Sequence, residues 1–122
     1  MTDLTEFKPA SADEFMDQIQ RQIGSDLTAV WKANKKKLER NLRVLGEATV
    51  RTALLLETRQ ITEAEADAIL YQQEQLFNAT LNHTLALPYI AAQSLLNTIF
   101  KVVGWAVFNY SGVNLFPALV TP

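Results

Sequence analysis

Apolar side chains recur at steps of three and four along most of the chain, and their spacing predicts four helices. Ser11 followed by Glu14 has capping-box spacing and opens a first helix through about residue 22, with Phe15, Ile19 and Ile23 on its apolar side. Gly24-Ser25 breaks it, and a second helix is expected over residues 26–59. Its stripe runs Leu27, Trp31, Asn34, Leu38, Asn41, Leu45, Ala48, Thr52, Leu55. Thr62 with Glu65 repeats the capping-box spacing and starts a third helix, whose buried face is expected to carry Ala66, Ile69, Leu70, Leu76, Phe77 and Leu87. Pro88 ends or kinks that helix. Nothing outside the C-terminal tail alternates with a period of two over a strand's length, so no sheet is expected.

The fourth helix, over residues 89–110, divides into two unlike halves. At 100° per residue, Leu95, Leu96, Ile99, Phe100, Val102, Val103, Ala106 and Val107 occupy one side. Gln93, Ser94, Asn97, Thr98 and Lys101 occupy the other. Ser111-Gly112 stops the helix, and Val113 to Val120 leaves as an apolar tail expected to be extended. Residues 89–108 are long enough to cross a bilayer, but a half-wheel of amides, hydroxyls and one lysine disfavours a lipid-facing span. Uncharged polar groups on one side and apolar groups on the other suit a helix contacted from both sides. The expected interface comprises Gln93, Leu95, Leu96, Asn97, Thr98, Ile99, Phe100, Lys101, Val103 and Val107, with Leu115, Phe116 and Leu119 of the tail docking on a neighbouring copy or on another protein.

Charge sharpens this expectation. Residues 1–67 hold 22 of the 24 charged side chains, and only Glu74 and Lys101 follow. The C-terminal half therefore needs cover, from its own chain, from a second copy or from lipid. At 122 residues the chain is one domain able to bury about two-thirds of its unfolded surface. It reads as a flexible acidic N-terminus (1–10), a charged helical half (11–60), a sparsely charged helical half (61–110) and a docking tail (111–122). An unbroken second helix would be about 50 Å long, so either it breaks near Gly46 or the molecule is elongated. Gly46, Thr49 and Ala53 form a small-residue strip that another helix could approach closely. A net charge of −2 argues against nonspecific nucleic-acid binding. The acidic start lacks the pattern of a secretory signal, and a cytoplasmic site of synthesis is the expectation.

Candidate chemistry is sparse. Six positive side chains lie between residues 32 and 43, opposed only by Glu39. Of these, Lys32, Lys36, Arg40 and Arg43 share a helix face that would serve an acidic partner or a phosphate, or simply stay solvated. His83 is the one histidine, and no Glu-x-x-His pair accompanies it. With no cysteine, no glycine-rich phosphate loop and no assembled acid–base pair, neither an enzyme, a metal nor a cofactor is expected. Asn34 and Asn41, like Gln73 and Thr80, are seven residues apart within apolar stripes. In coiled coils such polar core positions fix register. The asparagines are expected at the stripe's edge, Gln73 and Thr80 in the interior.

Two stretches carry a resemblance. Ile61-Thr-Glu-Ala-Glu-Ala-Asp-Ala-Ile-Leu-Tyr-Gln-Gln-Glu-Gln and Ile90-Ala-Ala-Gln-Ser-Leu-Leu-Asn-Thr-Ile-Phe-Lys-Val-Val-Gly-Trp resemble small helical proteins encoded among the structural genes of tailed bacteriophages. The helix from Asn41 to Arg59 also resembles phasins, the coat proteins of polyester granules, although their charged helices do not match the uncharged C-terminal half. The phage resemblance implies a virion or tail component repeated around a symmetry axis, with a virion as its destination. The expectation is thus an all-α, elongated hairpin or bundle acting as a non-enzymatic assembly protein. Its partners would be itself and other protein subunits, with a peripheral membrane or granule-surface protein as the alternative.

Overall fold

The computed structural model describes residues 4–24 and 27–122. The chain is an all-α bundle, with no strand among the described residues. Its helices are α1 (Ala12–Gln22), α2 (Thr28–Glu57), α3 (Glu63–Ala79) and α4 (Tyr89–Ser111). A 3-10 turn at Leu4–Glu6 precedes α1, and a π-helical turn at Thr80–Thr84 continues α3. The expected break at Ser25 and the expected start of the second helix at Asp26 lie outside the described residues.

Both predicted caps form. The Ser11 hydroxyl accepts from the Glu14 amide at the start of α1, while the Glu14 carboxylate turns back onto the Ala10 amide. At α3 the box is complete: Thr62 Oγ1 accepts from Glu65 N at 3.1 Å, and Glu65 Oε1 accepts from Thr62 N at 3.0 Å. Helix α2 ends without glycine. Arg59 takes a left-handed φ of 59°, its amide donates to Leu56 O, and the Gln60 amide donates to Leu55 O. These are the two hydrogen bonds of a Schellman turn, with arginine where glycine is usual. Gly112, at φ 75°, terminates α4 as expected.

Helix α2 runs unbroken through Gly46, about 45 Å of helix for 30 residues. The small-residue strip is filled from within the chain. A methyl group at position 46 would stand 3.0 Å from Phe15 Cδ2 and 3.2 Å from Ala12 Cα, so α1 crosses α2 there. Asp13–Arg43 and Gln20–Lys35 contacts show that α1 lies antiparallel to α2. Leu38, Leu42 and Leu45 of α2 form the axis of the core, with Phe15 and Ile19 of α1, Leu70 and Phe77 of α3, and Leu95, Ile99, Phe100 and Val103 of α4. The ring of Phe100 meets Phe77 edge-on at 6.4 Å.

Three local departures from the pattern have physical causes. The third helix does not persist to Pro88: it widens into the π turn, and Ala86 takes a left-handed φ of 49° before the proline. The N-terminal segment, expected to be flexible, is strapped down from Leu4 onward. Asn109 Nδ2 donates to Leu4 O at 2.8 Å and to Phe7 O at 2.9 Å, and Tyr110 Oη donates to Pro9 O. The tail is folded rather than extended. Leu119 N and Val120 N both donate to Phe116 O, and Asn114 closes the loop by donating from Nδ2 to Val120 O.

Candidate functional site

Helix α4 lies at the centre of the bundle, and this decides where its residues go. Leu95, Leu96, Ile99, Phe100, Val103 and Val107 are buried within the chain's own core. The tail then covers the lower part of the helix's other side. Phe116 stacks on Phe100 with ring centroids 5.8 Å apart, and Val120 lies against Gly104. Leu115 and Leu119 are half-buried on the same bundle. Cover for these apolar groups is therefore intramolecular, and the tail docks on its own bundle instead of on a neighbouring copy or another protein.

What remains uncovered on α4 is the upper part of its outer face. Asn97 and Lys101 are exposed, Gln93 and Thr98 are half-buried, and Lys101 is the only charge. Gln93 Nε2 donates to Asn97 Oδ1 at 3.2 Å, and Thr98 Oγ1 donates to Ser94 O. Tyr89 and Ile90 cap this face in the first turn, 74% and 79% exposed. Helix α4 is the one described helix long and apolar enough to cross a membrane, but its apolar side is the bundle core.

A second uncovered face lies between α2 and α3. A groove of about 260 Å³ is lined by Arg40, Asn41 and Val44 of α2 and by Gln73, Leu76, Phe77 and Thr80. Phe77 forms its buried floor, while Val44 (50% exposed) and Leu76 (59%) stand in its walls. Gln73 and Thr80, expected in the interior, are half-buried on its edge, because α3 turns Leu70, Phe77 and Leu81 inward and leaves the 69–73–76–80 line outside. Asn34 and Asn41 are also half-buried, at the stripe's edge as expected. Asn34 Nδ2 donates to Val30 O, whereas the amides of Asn41 and Gln73 make no hydrogen bond within the described chain.

The basic residues of α2 are divided among three surroundings. Arg43 pairs with Asp13 at 2.8 Å, the one ion pair among the described residues. Lys35 donates to Gln20 Oε1. Lys32 and Lys36 are exposed to solvent, and Arg40 turns to the groove. Lys32, Lys36 and Arg40 are exposed at steps of four along α2, and Arg43 beside them is neutralised by Asp13.

A polar cavity of about 270 Å³ sits under the N-terminal strap, lined by residues including Lys8, Glu14, Asp17, Gln18 and Arg21. Gln18 is buried there with its Nε2 unpaired. Two titrations are displaced. Partial burial, with Asp67 nearby, raises the pKa of Glu74. Burial of the Tyr110 phenol raises its pKa, helped by Glu14 and Glu57. Among the described residues no three His, Asp or Glu side chains converge as metal ligands, and His83 is exposed. The groove and the cavity under the strap escaped sequence reading. Ile69 and Leu76, expected on the buried face of α3, stand at the surface instead, because α3 is packed through Ala66, Leu70 and Phe77.

Comparison with family models, with curated proteins and with solved structures finds no match to this chain.

Proposed function

We propose that this is a non-enzymatic assembly protein that associates with copies of itself through the outer face of α4, as a repeating component of a larger structure. The observation that carries the reading is the uncovered, almost uncharged helix face running from Tyr89 and Ile90 to Lys101. A helix face exposed to water ordinarily carries charges of both signs. Here Gln93, Asn97 and Thr98 present donors and acceptors together, which a second copy of the same face satisfies with no like charges opposed except Lys101. The sequence resemblance to structural proteins of tailed phages supports a virion or tail component as the setting.

Light scattering after size-exclusion chromatography tests the reading. A defined oligomer without lipid or detergent is expected, and Asn97→Glu, which sets two carboxylates against each other across a two-fold contact, should dissociate it. A monomer at every concentration would sink the proposal. Tyr89 and Ile90 favour one alternative, a peripheral membrane or granule-surface protein. That reading expects aggregation relieved by vesicles.

A further inference from the structure

The α2–α3 groove is open to solvent, apolar at its floor and flanked by basic side chains on α2. Along α2 the groove is lined by Arg40, Asn41 and Val44; Lys37 and Arg51 lie two turns either side of Val44 on the same helical line, and Glu47 lies two turns beyond Arg40. Three of these four charges are positive, and none has an ion pair within the described chain. Along α3 the facing line is Ile69, Gln73, Leu76 and Thr80, which carries no charge at all. Glu65 lies at the far end, but its carboxylate is held in the cap of its own helix. The groove thus has one basic wall, one neutral wall, an apolar floor at Phe77 and two unpaired amides, Asn41 and Gln73.

We infer that this groove receives an acidic amphipathic helix from another protein, its apolar side chains seated between Val44 and Leu76 and its carboxylates against Arg40, Lys37 and Arg51. This is the helix-in-groove mode of recognition, in which apolar anchors at i, i+3, i+4 and i+7 give affinity. Opposed charges along the rim set orientation and speed of encounter. The amides of Asn41 and Gln73 add a register, since a polar group on the incoming helix must meet them or leave them unpaired. The lining from Gln73 to Thr80 spans about 10 Å, two turns of an incoming helix.

A second copy of this chain does not supply such a helix. Its own groove brings the same basic wall. The acidic helix α1 (Asp13, Glu14, Asp17) has its apolar side, Phe15, Met16 and Ile19, buried against the bundle. A lipid surface fits less well, because Val44 and Leu76 are single apolar side chains on the two walls of a cleft and not a continuous apolar face. The inference rests on the assembly reading above but uses a different face, so the two fail separately.

A synthetic amphipathic peptide with leucine at helical spacing and glutamate flanks, titrated by fluorescence anisotropy, is the test. Saturable binding is expected that weakens with added salt and falls at least about tenfold in Leu76→Asp and in Arg40→Glu. The same peptide with lysine in place of glutamate should not bind. Both substituted residues lie at the surface, and circular dichroism should show unchanged helix content. Absence of saturable binding would overturn the inference, as would equal binding of the lysine peptide or indifference to Leu76→Asp. Two further results would also overturn it: an oligomer of the free protein that Leu76→Asp dissociates, and binding of phosphatidylserine vesicles that the acidic peptide does not displace.

Discussion

Val120 packs where a side chain at position 104 would have to be: a methyl group on Gly104 would stand 2.6 Å from Val120 Cγ2 and 3.2 Å from Phe116 Cβ. In an isolated helix, alanine for glycine gains about 1 kcal/mol. Here the overlap should outweigh that gain, since overpacking a filled site costs typically about 1–3 kcal/mol. Gly104→Ala is therefore expected to lower the urea midpoint in the full chain. Val120→Ala removes the offending methyl, and the double variant should be more stable than Val120→Ala alone. If Gly104→Ala stabilises the intact protein, the tail does not dock on α4 in solution.

Arg59 holds a left-handed backbone, which costs a residue with a Cβ about 1–2 kcal/mol relative to the right-handed form. Glycine adopts that φ without penalty but loses more chain entropy on folding. Arg59→Gly should raise the thermal midpoint by an amount equivalent to roughly 0.5–1 kcal/mol. Arg59→Val should lower it. A fall with glycine would show that the arginine side chain, and not the turn, matters at this position.

Asn109 serves two carbonyls, Leu4 O and Phe7 O, with one amide group. Asn109→Ala removes both hydrogen bonds and should cost about 1–3 kcal/mol in denaturant unfolding. Native-state hydrogen exchange should show the loss concentrated in the N-terminal strap. Uniform loss across α2 would argue that the strap and the bundle open together.

Glu74 has its folded-state pKa raised, first by partial burial and then by Asp67. The sign follows directly. A carboxyl that binds its proton more tightly when folded favours the folded state below its unfolded pKa, and that contribution is lost as pH rises through the folded value. At neutral pH the ionised Glu74 is therefore a small liability. Glu74→Gln should be more stable than the parent at pH 7, with the difference shrinking towards pH 4. A pH-independent difference would locate the effect in packing.

The helices were legible because their signals are local. Thr62 and Glu65 announce a capping box within four residues of sequence, and Gly112 announces a helix end. The apolar half-wheel of α4 was also visible. Its destination was not, since Leu95, Ile99 and Phe100 look the same whether they face a second copy or α2. Position 104 shows why: whether Phe116 and Val120 return to their own helix depends on a gap that only the packed bundle defines. The π turn at Thr80–Thr84 leaves no mark in a pattern of threes and fours. The polarity of the groove was hidden for a similar reason. Six basic residues read as one cluster, yet the crossing of α1 over Gly46 draws Arg43 to Asp13 and leaves Arg40 facing α3.

The clasp formed by Asn109 also has a mechanical meaning. It joins the strap at Leu4–Phe7 to the last turn of α4, immediately before the bend at Gly112 from which the tail folds back onto Gly104. Tension applied between the strap and the bend at Gly112 would load this clasp directly and open the molecule like a zipper, a few bonds at a time. Helices gripped at opposite poles would have to slide past one another with every contact resisting at once. Load borne at those two points would reach a single asparagine before any contact between the long helices.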